Sequence, residues 1–204
     1  MRCLAEPIAR MANKEDGCKG RFWEGRFKCQ PLLDKAALLA CSVYVDLNPI
    51  RAGVAKTPET SVYTAAHERI HAHEPRRHCA QKSHQRRDGW LSPVPLKEQA
   101  KLSIRPRRRA SHQGFLPLSE TQYLELVDWT GRQVRRDKRG AIPSDLAPLL
   151  ERLQLSRETW VETVQHFGKW FHRAAGRPES LAKEASRRGR RWLGGIAHSR
   201  AAFG

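Results

Sequence analysis

Acidic residues are scarce in this chain: 21 Asp and Glu stand against 38 Lys and Arg in 204 residues, leaving a formal charge of +17. A chain so short of negative charge attracts polyanions, and nucleic acid is the first candidate partner. A ribosomal protein or a membrane-surface binder would carry the same excess, so charge alone selects no function. The cysteines, Cys3, Cys18, Cys29, Cys41 and Cys79, are odd in number and form no C-x-x-C pair. That argues against a disulfide framework and a Cys-rich zinc site, and points to reduced thiols and a cytoplasmic location. Long apolar runs are missing too. The longest, Ala36 to Val45, is interrupted by Ser42 and is too short to cross a bilayer, so no membrane partner is expected. The N-terminus lacks the apolar stretch of a signal peptide. No internal repeat is evident. With 39% apolar residues the chain can pack a core, yet part of it is expected to stay outside.

What is present divides into three blocks. In the first, residues 1–64, Ile8, Met11 and Ala12 suggest an amphipathic helix loosened by Pro7. Asn13 to Gly20 reads as a turn. Phe22 to Lys28 interleaves aromatic and basic residues and reads as a strand, which would turn Phe22 toward a core and Trp23 away from it. Asp34 is placed as an N-cap before a helix rich in Ala and Leu that runs from Lys35 to Val45. Asn48-Pro49 ends that helix, and Pro49 opens a short turn closed by Gly53. The second block, residues 65–114, holds six of the nine histidines and the run Arg105 to Arg109, with few apolar residues at any period. It reads as a basic, disordered linker. The third, residues 115–204, is helical. Ser119-Glu-Thr-Gln122 is a capping box, with Leu118 and Tyr123 as its hydrophobic staple. Val127 and Val134 extend an apolar face that Gly131 is placed to end or bend, and Pro143 to Leu153 is a shorter candidate helix. Ser156 can cap the next helix, with Leu155 set against Trp160. Trp160, Val164, Phe167 and Phe171 then recur at helical spacing, and Gly176 and Pro178 end the segment. A last basic segment, Glu179 to Leu193, carries Arg187, Arg188, Arg190 and Arg191.

Two stretches carry a resemblance. Gly20-Arg-Phe-Trp-Glu-Gly-Arg-Phe-Lys28, followed by Tyr44-Val-Asp-Leu-Asn-Pro-Ile-Arg-Ala-Gly53, resembles the REP-associated tyrosine transposases, relatives of the single-tyrosine HUH insertion-sequence transposases. The resemblance covers about residues 1 to 55, and the C-terminal block looks like the helical extension of one branch. It implies an α+β fold, with an antiparallel sheet backed by helices and a metal site of two histidines on a central strand. That His pair should precede the strand at Phe22. The chain starts inside what resembles the helix before that strand, so the expected architecture is an α+β remnant, a strand plus the nucleophile helix of an HUH-type domain. A basic linker and a mainly α-helical C-terminal region follow.

The implied chemistry is cleavage and rejoining of single-stranded or hairpin DNA through a 5′-phosphotyrosine, with Mg or Mn polarising the scissile phosphate. The resemblance makes Tyr44 the nucleophile. Read without it, Tyr44 is a helix tyrosine packed on a core. Asn48, four residues later, matches the position of a metal ligand in relatives, or else caps the turn at Pro49. With the histidine half missing, this chain is expected to bind no metal and to be inactive alone, a transposase-derived DNA-binding protein that can form a homodimer. The competing expectation is a non-catalytic basic nucleic-acid-binding protein. His71-Ala-His73 fits a His-x-His pattern but follows the nucleophile helix and lacks strand character, which argues against a metal site. Arg21, Arg26, Lys28 and Arg51 are candidate phosphate contacts, and Trp23 is a candidate stacking surface. Arg107, Arg108, Arg109, Arg187, Arg188, Arg190 and Arg191 form two further basic patches, each equally readable as a solvated charge run.

Overall fold

The computed structural model describes residues 2–26, 29–72, 88–96, 113–134, 155 and 157–203. Within them the chain forms two compact units, residues 1–30 and 31–204.

In the first unit, α1 spans Arg2–Glu15 and carries Pro7 inside it. Gly17, at φ 63°, closes the helix, and the Cys18 N–H donates to the Asn13 carbonyl at 2.9 Å. This is a left-handed glycine stop. The segment from Arg21 to Arg26 is a series of bends. Phe22 and Trp23 do not alternate across a strand. They meet edge to face, with centroids 4.8 Å apart, and the Trp23 indole donates to the Ala5 carbonyl at 2.9 Å. Both rings are partly exposed. Phe27 and Lys28 lie outside the described residues.

The second unit is a helical bundle. Its elements are α2 (Lys35–Asp46), α3 (Asn48–Arg51), a 3₁₀ turn (Pro58–Thr60), α4 (Ala65–Ile70), α5 (Glu120–Val134), α6 (Arg157–Trp170), α7 (Pro178–Arg187) and α8 (Ile196–Phe203). No strand occurs among the described residues. The two isolated bridges, Leu32 with Ala175 and Pro95 with Leu116, are parallel pairs outside any sheet. The expected α+β remnant is therefore incorrect, and the described fold is helical. The physical reason lies in the aromatic segment. A strand needs a neighbour for its backbone groups, and no partner strand is present among the described residues to pair with residues 22–26.

α2 forms where expected. The Asp34 carboxylate accepts the Ala37 N–H at 2.9 Å, and Ala36, Ala37, Leu39, Ala40 and Val43 are buried. The helix stops at Leu47, and Pro49 sits in the first turn of α3. The capping box of α5 is complete: Ser119 N–H donates to Gln122 Oε1 at 3.0 Å and Gln122 N–H donates to Ser119 Oγ at 3.1 Å. Leu118 and Tyr123 are both buried in the main core. Gly131 does not end α5, which runs on to Val134. A Cβ there would lie 3.1 Å from Leu47 Cδ2, so the glycine lets α2 come close. On α6, Trp160, Val164 and Phe167 are buried as the spacing predicts, with Phe171 just beyond. The Trp160 indole donates to Thr130 Oγ1 on α5 at 3.0 Å. α6 packs against α2, α5 and α8, and α7 packs against α8.

α6 ends at Trp170, earlier than Gly176 and Pro178 imply. Residues 171–177 instead run beside residues 31–34. Leu33 N–H donates to the Ala175 carbonyl at 2.8 Å, and Ala175 N–H donates to the Pro31 carbonyl at 3.0 Å. Asp34 Oδ2 accepts the Arg177 N–H at 2.5 Å. One carboxylate thus caps α2 and α7 together, at two positive helix ends. Pro178 opens α7 rather than closing a preceding helix. The span read as linker is ordered in part. α4 lies in it, with Ala66 and Arg69 buried, and Val94 joins the core. The candidate helix from Pro143 to Leu153 and the cap Ser156 lie outside the described residues.

Candidate functional site

Tyr44 sits near the end of α2, half-buried against Phe167 of α6, with ring centroids 5.7 Å apart. The two helices can approach here because α6 carries Gly168. A Cβ at that position would fall 2.8 Å from the Tyr44 hydroxyl oxygen. Over the tyrosine ring lies Arg51, its guanidinium carbon 4.5 Å from the ring centroid. This is cation–π distance. Arg51 Nη2 also donates to the backbone carbonyl of Gln165 at 2.6 Å. Around these groups opens a cleft of about 570 Å³, lined by Tyr44, Ile50, Arg51, Gln165, His166, Gly168 and Lys169. Two separate blocks of sequence build it. α2 and α3 give the phenol and the guanidinium, and α6 gives an imidazole and an ammonium.

No acidic side chain is among these lining residues. Elsewhere in the described residues cations meet carboxylates. Arg10 pairs with Glu6, Arg69 with Glu120 and Arg132 with Asp128. Such pairs are charge-balanced, whereas the cleft lining carries Arg51 and Lys169 with no acid beside them.

Asn48 is exposed and does not line the cleft, so the helix break at Leu47 separates it from Tyr44. Its backbone carbonyl accepts the Ala52 N–H at 2.9 Å. The residues around Tyr44 do not fit a divalent cation. Arg51 and Lys169 offer only positive charge, and no group of three His, Cys, Asp or Glu among the described residues could hold a metal. His71 Nε2 lies 3.1 Å from the Glu59 carbonyl, and its ring packs 4.6 Å from that of His67. His73 lies outside the described residues.

Arg21, Trp23 and Arg26 belong to the first unit and are all exposed. At the end of α7, Arg187 and the C-cap residue Arg188 are not open charges. Glu184 takes Arg187 in a two-point fork, Nε and Nη2 both at 2.7 Å, and Arg188 Nε at 2.6 Å. The hydrogen bond from Arg187 leads in holding the Glu184 carboxyl down at about 2. Arg190 and Arg191 follow the helix and are exposed. Arg107, Arg108 and Arg109, like Lys28, lie outside the described residues.

His166 and Lys169 escaped the sequence reading. They occupy the flanks of a helix whose apolar face was legible, and polar flank residues look alike whether they face solvent or a cleft. A helical glycine at 168 is the one local signal, because glycine inside a helix implies a close approach. No family model, curated protein or solved structure matches the chain. Among the described residues no helix is long and apolar enough to cross a membrane.

Proposed function

We propose that this chain is a DNA-binding protein derived from single-tyrosine transposases, one that holds single-stranded DNA rather than cutting it. The observation that carries the reading is that Arg51, His166 and Lys169 line one cleft with Tyr44 and no acid lines it. The overall charge of +17 adds a long-range attraction for the same ligand. The motif residues that resemble the transposases meet at this cleft in part: Tyr44, Ile50 and Arg51 line it, while Asn48 does not. Strand cleavage needs charge stabilisation at the phosphate by a Lewis acid or an equivalent. Arg51 and Lys169 supply positive charge for binding but are poor neighbours for a metal ion. The proposed partner is single-stranded DNA, and a covalent phosphotyrosine is not part of the reading.

The test is titration of labelled single-stranded and duplex oligonucleotides with the full chain at rising salt. Affinity for the single strand should exceed that for duplex. It should fall steeply and log-linearly between about 50 mM and about 200 mM salt, because each neutralised phosphate releases counterions. A flat salt response, or no binding at low salt, overturns the proposal. Incubation with Mg²⁺ or Mn²⁺ should yield no denaturant-resistant adduct, and an adduct lost in Tyr44→Phe would establish catalysis instead.

A further inference from the structure

We infer that the Tyr44 cleft is a seat for one phosphate group of single-stranded DNA, gripped jointly by Arg51 of α3 and Lys169 of α6. The inference rests on the DNA-binding reading and locates it in a site built from both halves of the sequence. At about 570 Å³ the cleft lies within the range of small-ligand pockets and exceeds the needs of a single ion. Its chemistry suits an oxyanion: residues bearing a guanidinium, an ammonium, an imidazole and a phenol line it, with no carboxylate among them. Arg51 is held before any ligand arrives. One nitrogen is bonded to the Gln165 carbonyl at 2.6 Å and the plane rests near the Tyr44 ring. Its remaining N–H groups are left to donate, and the ordering cost on binding is reduced. Gly168 completes the seat by leaving room for the Tyr44 hydroxyl, which a methyl group would meet at 2.8 Å.

The phosphate can be a 5′-terminal monoester or an internal diester, both of which present anionic non-bridging oxygens. Both are tested by anisotropy with 3′-labelled single strands, one 5′-phosphorylated and one 5′-hydroxyl, against the full chain at several salt concentrations. Lys169→Glu should weaken binding about tenfold, the loss of one charge-assisted contact. It should also lower the salt slope by about 0.7 per phosphate contact removed. Lys183→Glu on α7 changes net charge equally but lies away from the cleft lining, and should have a markedly smaller effect on both. Gly168→Ala should weaken binding by displacing Tyr44. Lys169 is exposed, so its variants test the seat without removing core packing, with helical circular dichroism as the check. Preference for the 5′-phosphorylated strand supports a terminal seat, and equal binding supports an internal one. If wild type binds DNA but Lys169→Glu and Lys183→Glu behave alike, the seat is refuted while the DNA-binding reading survives. If wild type binds no single strand, the broader reading fails. If RNA of equal length displaces the DNA, the ligand is misassigned.

Discussion

Asp46 sits at the end of α2, buried, with its carboxylate taking the Tyr123 hydroxyl at 2.6 Å and the Ala66 N–H at 3.2 Å. Arg69, also buried, lies near enough to favour the charge, and is itself held by Glu120 and by the Ser92 carbonyl at 2.7 Å. Burial still dominates and raises the Asp46 carboxyl above its ordinary 3.8, while the hydrogen bonds pull the other way. The folded state thus binds this proton more tightly than the unfolded one. The ionised form costs stability above the raised value, and that cost disappears as pH falls toward 3.8. Asp46→Asn fixes a neutral group of the same shape. In paired urea melts the wild type should gain on this variant as pH drops through that window, by about 1.4 kcal/mol per unit of upward shift. A wild type that loses ground on acidification would show that the hydrogen bonds win. Tyr123 was legible as the staple of a capping box, because the signal is local. Its hydroxyl partner was not, since Asp46 lies 77 positions away and nothing in its own neighbourhood marks it as buried.

At the scale of elements, caps and apolar faces were readable and pairings were not. Asp34 announced α2, Ser119 and Gln122 announced α5, and the Trp160 to Phe171 spacing announced the buried side of α6. Interleaved aromatic and basic residues from Phe22 to Lys28 also suit a strand, but a strand exists only with a neighbour, and that condition is not local. The cleft was hidden for the same reason. Arg51 and Lys169 are brought together by packing of α2 against α6. The second role of Asp34 was equally invisible, because its other oxygen serves Arg177 N–H. Asp34→Ala removes two caps at once and should cost about 2 kcal/mol, taking about 1 kcal/mol for each. Hydrogen exchange should show the Ala37 and Arg177 amides losing protection together. Loss at Ala37 alone would mean that α7 is capped independently.

For the molecule as a whole, a charge of +17 works against compaction as well as for the proposed DNA binding. Salt should therefore push the two properties in opposite directions. Raising it from about 50 mM to about 200 mM should weaken DNA binding while raising the melting temperature, since screening relieves self-repulsion. A gain of about 1 kcal/mol corresponds to roughly 2–4 °C for a chain of this size. A melting temperature that falls with salt would indicate that attractive ion pairs, such as the Glu184 fork with Arg187 and Arg188, outweigh the repulsion. The same molecule also has a timetable. The clasp between residues 31–34 and 175–177 joins positions 143 apart through Asp34 and Arg177. At roughly 5–20 residues per second of synthesis, the first strip of that clasp waits on the order of ten seconds for its partner to be made. Until then α2 has its cap but neither the α6 face nor Gly168 against it, so Tyr44 leaves the ribosome uncovered and the cleft comes into being only once most of the chain has emerged.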